Sequence, residues 1–172
     1  MASRVVLLLS LAVLAVLAWA NAPLDALSSD ARADRVVVDK SDRTLWLLEG
    51  ADTLKAYRVS FGAAPDDGHK QREGDERTPE GTYALDWRNA ESCCYRSLHV
   101  SYPDPEDVAR ARAEAVSPGG MIMIHGLTNG LGWLGRLHRF ADWTDGCIAV
   151  TNPEMAEIWD AVPNGTPIEI RP

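Results

Sequence analysis

The chain has 172 residues, which is the length of one globular domain, so a second domain is not required. Its 17 Lys and Arg against 25 Asp and Glu give a formal net charge of -8. Because nucleic-acid phosphates are bound by clustered Lys and Arg, this acidic balance argues against a nucleic-acid partner.

The N-terminus has the parts of a secretory signal. Arg4 supplies a positive charge, residues 5–18 are apolar, and two small-residue cleavage motifs follow, Ala18-Trp19-Ala20 and Ala20-Asn21-Ala22. We therefore predict a signal peptide over residues 1–22, a linker over 23–34 and a domain over 35–172. The alternative is an uncleaved anchor, although a membrane span needs about 20 apolar residues. The protein is expected to be exported, and membrane-associated only if the signal is uncleaved.

Short runs of β-forming residues dominate the domain. We predict strands over residues 35–39, 44–48, 54–60, 82–87, 97–102, 121–124, 147–150 and 167–170. Polar and glycine turns between the first three predict an antiparallel meander. One helix is predicted after the capping residue Asp104, and a second begins at Asn152-Pro153-Glu154, with Asn152 as the cap. The expected fold class is mainly β with short helices.

A polar stretch over residues 62–81 contains several glycines and is too long for a simple hairpin. Loops of this length are usually functional or mobile, so this one is expected to line a substrate cleft. His69 lies within the loop and is expected to be solvated.

Two residues stand at positions suited to nucleophilic chemistry. His125 follows the apolar run Met121-Ile122-Met123-Ile124, which places it at the end of a buried strand. Cys147 follows Gly146, and a cysteine with a histidine elsewhere in an exported chain is a candidate nucleophile with its base. Nearby acidic residues would raise the pKa of the thiol, so a protonated histidine, oriented amides or an arginine must outweigh them, and Arg136 and Arg139 are available.

Structural roles for both residues compete with the hypothesis of a nucleophile and its base. Cys147 could be a small buried residue, and His125 a hydrogen-bonded structural histidine. A zinc site of His125, His138 and Cys147 is chemically possible, but paired ligand spacings are lacking, so we predict neither metal nor other cofactor. The neighbouring Cys93 and Cys94 are expected to be free thiols, because a vicinal disulfide is strained.

Four blocks occur in an order that resembles the YkuD-type L,D-transpeptidase domain. They are Gly74-Asp75-Glu76-Arg77-Thr78-Pro79-Glu80-Gly81-Thr82-Tyr83, Ser101-Tyr102-Pro103, Ile124-His125-Gly126 and Thr144-Asp145-Gly146-Cys147-Ile148. The resemblance covers residues 35–172. It implies a mixed β-sandwich domain in a periplasmic or cell-wall-associated enzyme that acts on peptidoglycan stem peptides.

The resemblance also implies the roles of individual residues. Cys147 would attack a stem-peptide carbonyl to form a thioester, with His125 as base and the Gly126 carbonyl orienting that histidine. The amides of Gly146 and Cys147 would form the oxyanion hole. An amine, of a second stem or of an outer-membrane lipoprotein, would then accept the acyl group. The candidate substrate-binding residues are Asp145, Thr144, Arg139 and His138.

The sequence departs from the common family pattern at two positions. Asp145 replaces a histidine, and Ala149 replaces an arginine suited to binding a carboxylate. The form Asp-Trp-Thr-Asp-Gly-Cys-Ile-Ala-Val-Thr-Asn is similar to a YafK-like branch, which includes a hydrolase of the bond between peptidoglycan and lipoprotein. The alternatives are therefore a hydrolase of the same bonds and a non-catalytic cell-wall binding module.

Overall fold

The computed structural model describes residues 2–172, so Met1, the first residue of the predicted signal, lies outside it. Its strands are β1 (Arg35–Asp39), β2 (Thr44–Glu49), β3 (Asp52–Arg58), β4 (Gly81–Asn89), β5 (Ser97–Val100), β6 (Met123–His125), β7 (Ile148–Ala149) and β8 (Thr166–Arg171). The helices are α1 (Ala2–Ala20), α2 (Pro105–Ala113) and α3 (Asn152–Ala161). Two 3-10 segments, Pro65–Asp67 and Gly132–Phe140, lie in the connections.

The strands form a single mixed sheet in the order β3-β2-β1-β8-β4-β5-β6-β7. The pairs β1-β8 and β6-β7 are parallel, whereas the other pairs are antiparallel. The chain that leaves β3 then reaches the opposite edge, where Ser60 and Ala149 exchange backbone hydrogen bonds of 3.0 and 2.8 Å. The sheet is therefore curled, and its last strand β7 is held from both sides.

Alternation of side chains along the strands defines the buried face. In β8, Thr166, Ile168 and Ile170 are buried, while the residues between them are more exposed. Met155 and Ile158 of α3 are completely buried in the same hydrophobic cluster. Because each fully buried aliphatic side chain stabilises the fold by about 1.5–3 kcal/mol, this cluster holds the strands in one register.

The predicted fold class, mainly β with short helices and mixed strand directions, is confirmed. The predicted cap of α3 is wrong, because the N-cap is Thr151, whose amide and hydroxyl donate to Glu154 Oε2 at 3.0 and 2.7 Å. Asn152 instead accepts a hydrogen bond from the Leu127 amide at 2.8 Å. The helix starts one residue earlier than expected, which frees the Asn152 side chain for a contact distant in sequence.

The segment that follows α1 lies along the domain. Asn21 Nδ2 donates to the Trp133 carbonyl at 2.9 Å, and Arg136 donates to the Ala22 carbonyl at 3.1 Å. Residues 21–34 form neither helix nor strand. Among residues 2–172, no helix is both long enough and apolar enough to cross a membrane.

Candidate active site

His125 and Cys147 are brought to one face of the sheet by two neighbouring strands. β6 and β7 are parallel, with Ile124 opposite Ile148 and His125 opposite Ala149. Both isoleucines are completely buried in the core. Because successive side chains of a strand alternate between faces, His125 lies on the other face, and Cys147, which directly precedes β7, is expected on that face as well. The parallel pairing thus brings together two residues that are far apart in sequence.

The protonation of His125 follows from its hydrogen bond. Its Nδ1 lies 2.6 Å from the carbonyl oxygen of Gly126. A carbonyl oxygen only accepts, so Nδ1 carries the proton and Nε2 keeps a lone pair. Burial lowers the pKa of His125 below its ordinary value of 6.5, and the bond to Gly126 opposes that shift. At neutral pH the imidazole is therefore uncharged and can accept a proton at Nε2.

The turn after β6 holds the Gly126 carbonyl in place. A Cβ atom at Gly126 would lie 2.7 Å from Asn152 Oδ1 and 3.0 Å from Tyr95 Cβ. The same Asn152 oxygen accepts the hydrogen bond from the Leu127 amide. A side chain at this position would push the turn away from Asn152, and the carbonyl that orients His125 would move with it.

The Cys147 thiol is half-buried and neutral in the free protein. Its Sγ donates to the Met121 carbonyl at 3.6 Å. Burial raises the pKa of the thiol above its ordinary value of 9.0, a backbone hydrogen bond at Met123 opposes this, and the Asp145 carboxylate raises the pKa again. The thiol and the imidazole of the free protein are therefore both neutral, so an attack by the sulfur would require transfer of the thiol proton.

The two arginines expected to act on the thiol have other partners. Arg136 donates to carbonyls at the end of α1, including that of Ala20 at 3.3 Å. Arg139 makes two hydrogen bonds of 2.6 and 2.5 Å to the carboxylate of Glu154. The cation whose charge lowers the pKa of Cys147 is instead Lys70. Lys70 lies in the loop over residues 62–81, which local sequence reasoning could not connect to the cysteine.

A tight turn precedes Cys147. Gly146 has a φ of +116°, and a Cβ atom there would lie 2.5 Å from the Arg77 carbonyl oxygen. The Thr144 hydroxyl donates to the Cys147 carbonyl at 2.8 Å and accepts from the Gly146 amide at 3.3 Å. Thr144 is buried and thus stabilises the turn. With the Gly146 amide bonded to Thr144, the Cys147 amide is the better placed oxyanion donor of the two.

Trp143 lies between His125 and a second histidine, His138. Its ring centroid is 5.8 Å from that of His125 and 6.4 Å from that of His138, edge to face in both cases. His138 Nδ1 lies 3.2 Å from Ser60 Oγ and 3.5 Å from Trp143 Nε1. Burial lowers the pKa of His138 to about 4, so this histidine is neutral. With only 7% of its surface exposed, His138 supports Trp143 rather than facing substrate.

A cleft of about 620 Å³ is lined by Met121, whose carbonyl accepts from Cys147, and by Asp145, although neither Cys147 nor His125 lines it. Its lining residues are Lys70, Glu73, Gly74, Ser117, Gly119, Gly120, Met121 and Asp145. The first three belong to the loop over residues 62–81, as expected for a loop that lines a cleft. Asp145 is exposed there, whereas the other predicted substrate-binding residues are buried or paired within the protein.

The loop that lines the cleft is fixed by buried ion pairs. Lys70 Nζ lies 2.7 Å from Asp75 Oδ1, and backbone amides of the same loop also donate to Asp75. Burial would raise the pKa of Asp75, but these hydrogen bonds lower it to about 2. The expectation that His69 is solvated is wrong, since its Nε2 lies 2.9 Å from Asp107 Oδ1 and 18% of its side chain is exposed.

Sequence reasoning did not assign Lys70, Trp143 or Asn152 to the site. Trp143 stands inside the block that carries Cys147, and that adjacency was the signal available for it. Lys70 and Asn152 reach the site only through long-range packing. Within residues 2–172, no group of three or more His, Cys, Asp or Glu side chains is arranged to hold a metal ion.

Comparison with known proteins identifies the family that the four sequence blocks resemble. The YkuD family, described as the L,D-transpeptidase catalytic domain, matches residues 33–170. "Putative L,D-transpeptidase YafK" of Escherichia coli (strain K12) is 28% identical over 137 residues, which are 74% of this chain and 46% of YafK. The chain thus spans about half the length of the curated relatives it matches.

Solved structures show the same fold. Bd1075 of Bdellovibrio bacteriovorus has a TM-score of 0.55 at 24% identity, over 81% of this chain and 48% of Bd1075. The helical cell shape determining protein Pgp2 of Campylobacter jejuni has a TM-score of 0.60 at 22% identity, over 90% of this chain and 53% of Pgp2. An L,D-transpeptidase from Mycobacterium smegmatis has a TM-score of 0.52 at 17% identity, over 80% and 58% of the two chains. Since the family match covers most of the sequence, the chain belongs to the YkuD family of L,D-transpeptidase catalytic domains.

Proposed function

We propose that this protein is an exported cysteine acyltransferase of peptidoglycan stem peptides, which forms a thioester at Cys147 and transfers the acyl group to an amine. Membership of the L,D-transpeptidase family supports the reaction class. The apolar residues 5–18 after Arg4 support export to the periplasm or cell wall. A neighbouring stem peptide or an outer-membrane lipoprotein would supply the amine.

One observation carries the proposal. His125 has its proton fixed on Nδ1 by the Gly126 carbonyl, which leaves the Nε2 lone pair free, and β6, which ends at His125, pairs with the strand that Cys147 directly precedes. A base with this tautomer and a neutral thiol next to the adjacent strand form the pair that thioester chemistry needs. A buried cysteine with a structural role would not require such an oriented imidazole beside it.

The reaction follows from this geometry. Nε2 of His125 takes the proton of Cys147 Sγ as the sulfur attacks the carbonyl of the third stem residue. The Cys147 amide donates to the developing oxyanion. The protonated imidazole then returns the proton to the leaving amine of the terminal D-alanine, and the carbon–nitrogen bond breaks. An incoming amine, deprotonated by the same Nε2, attacks the thioester and releases the thiol.

Hydrolysis is the second candidate, and one observation favours it. Ala149, where many family members carry an arginine, is completely buried and bonded to Ser60. The alanine side chain at this position cannot bind a substrate carboxylate as a guanidinium fork would. Recognition of the acyl donor therefore departs from the common family pattern, and in this second candidate water resolves the thioester, which shortens stems or releases a lipoprotein instead of forming cross-links.

Mass spectrometry of defined stem peptides incubated with the protein tests the proposal. A covalent acyl adduct on Cys147 with cross-linked products supports acyl transfer, and an adduct with shortened stems supports hydrolysis. Cys147→Ala must abolish both the adduct and the products. Unchanged turnover in that variant, or an intact protein that forms no adduct with stem peptide or carbapenem, would leave only a non-catalytic wall-binding module.

A further inference from the structure

Two cysteines that the proposed reaction does not use lie in the connection between β4 and β5. Cys93 is exposed and Cys94 is half-buried, and both are free. Their Sγ atoms are 3.0 Å apart, and Cys94 Sγ also lies 4.0 Å from Thr128 Oγ1. The pair is thus an accessible vicinal dithiol whose sulfur atoms already face each other.

The backbone of this pair supports the turn that orients the catalytic histidine. The Cys93 carbonyl accepts from the Asn129 amide at 2.8 Å. A Cβ atom at Gly126 would lie 3.3 Å from the Cys94 carbonyl oxygen, so the two backbones are in close contact. Gly126 in turn supplies the carbonyl that accepts from His125 Nδ1. A rotation of the Cys93–Cys94 peptide moves the Cys93 carbonyl that is bonded to Asn129. Through Cys94 it also displaces the next carbonyl, which contacts Gly126, so we expect it to disturb the orientation of His125.

The dithiol is also close to the nucleophile. The charge of a Cys93 thiolate raises the pKa of Cys147, and that of a Cys147 thiolate raises the pKa of Cys94. This mutual effect agrees with the backbone contacts, which place the β4–β5 connection beside the end of β6.

We propose that Cys93 and Cys94 are a redox modification site, which closes to a vicinal disulfide by exchange with a small-molecule disulfide and thereby lowers the reactivity of Cys147. The Cys93 thiolate attacks one sulfur of the oxidant, whose disulfide bond breaks and releases one thiol after protonation. The Cys94 thiolate then attacks the Cys93 sulfur and releases the second thiol. Two protein thiols are oxidised to one disulfide, and one small-molecule disulfide is reduced to two thiols.

Formation of the disulfide changes the surroundings of His125, because the distance between the Cys93 and Cys94 sulfur atoms must shorten. A disulfide bond is about 2.05 Å long, so the Cys93–Cys94 peptide must rotate from its present position. The Cys93 carbonyl of this peptide then moves relative to Asn129, the Cys94 carbonyl of the following peptide shifts against Gly126, and the imidazole of His125 loses its alignment. The effect on reactivity rests on the proposed function of the His125 and Cys147 pair, whereas formation of the disulfide does not.

Treatment of the full chain with oxidised glutathione tests both the formation of the disulfide and its effect on Cys147. After treatment, intact mass and peptide mapping should show a loss of about 2 Da located at Cys93 and Cys94. Alkylation of Cys147 by iodoacetamide, followed in its own peptide, should become about tenfold slower, because small misplacement of a reacting group is costly. Reduction with dithiothreitol should restore the original rate.

Single variants provide the matched controls. Cys93→Ser and Cys94→Ser should each abolish the mass loss and keep the Cys147 alkylation rate insensitive to oxidant. Three results would contradict a redox site at Cys93 and Cys94. They are a stable glutathione adduct, a disulfide from either cysteine to Cys147, and the absence of any mass loss. A closed disulfide with an unchanged Cys147 rate would overturn the coupling. Absence of acyl transfer in the reduced protein would count against the proposed function alone, since the mass measurement does not depend on it.

Discussion

The indole of Trp143 meets the imidazole of His125 edge to face, with 5.8 Å between the ring centroids. Such aromatic pairs contribute about 0.5–1.5 kcal/mol beyond the area they bury. Because the Gly126 carbonyl fixes one end of the imidazole, the indole is the contact that restrains the ring plane. The orientation of the base thus depends on a tryptophan that belongs to the same block as the nucleophile.

Truncation of Trp143 should lower turnover without unfolding the domain. We expect Trp143→Ala to reduce kcat for acyl transfer roughly threefold to tenfold, which corresponds to the loss of one aromatic pair. Trp143→Phe, which keeps a ring against His125, should lose less. Trp133→Ala removes an exposed indole from the neighbouring segment and is the control. Equal losses of kcat in Trp143→Ala and Trp133→Ala would contradict a specific role for the contact.

The pKa shifts of the reacting pair predict its pH dependence. Burial lowers the pKa of His125, so the base remains available below pH 6.5 and is lost as the pH falls through the lowered value. Burial raises the pKa of Cys147, so the midpoint of alkylation in the free protein should lie above pH 9.0. Rates of acyl transfer across pH measure the protonation of His125, and rates of iodoacetamide labelling measure the ionisation of Cys147.

The charge of Asp145 should be visible in the same labelling experiment. Asp145 raises the pKa of Cys147, so Asp145→Asn should move the alkylation midpoint to lower pH. Asp160→Asn, an exposed site on α3, is a matched control that should leave the midpoint unchanged. A midpoint that stays in place in Asp145→Asn, or that moves equally in both variants, would show that this carboxylate does not act on the thiol.

Arg139 should contribute to stability and not to substrate binding. Its side chain is 18% exposed and that of its partner Glu154 is 6% exposed. Removing one member of a buried pair costs about 3–5 kcal/mol, so Arg139→Ala should lower the free energy of unfolding by about that amount. Denaturant unfolding measures the loss, and KM of the folded fraction should be unchanged. A raised KM with unchanged stability would restore the role predicted from the sequence.

Asp75 should make the protein sensitive to acid. A pKa of about 2 against the ordinary 3.8 corresponds to about 2 kcal/mol of stability at neutral pH. Since the folded-state pKa is depressed, this stability is present above about pH 4 and is lost as the pH falls towards 2. Asp75→Asn should therefore be destabilised at pH 7 and should match the wild type near pH 2 in urea unfolding. Asp66→Asn, exposed in the same loop, should show neither effect.

Much of the fold was accessible from local pattern. The strand over residues 35–39, the meander of β1 to β3 and the apolar run before His125 follow from alternation and turn chemistry, which depend on neighbours in the sequence. The same holds for the glycine before Cys147, because a φ of +116° favours glycine. The order of the four blocks was sufficient to indicate the family.

The partners of the polar side chains were decided by the tertiary structure. Arg139 is paired with Glu154, His138 is buried under Trp143, and Lys70 acts on Cys147. A charged or aromatic side chain reaches several ångströms in any direction, so its contacts depend on strands that only the curled sheet brings together. The sequence by itself determined that Cys147 and His125 exist as a candidate pair. The parallel pairing of β6 with β7, whose residues Ile124 and Ile148 pack in the core, decided that His125 and Cys147 come to neighbouring parts of the sheet.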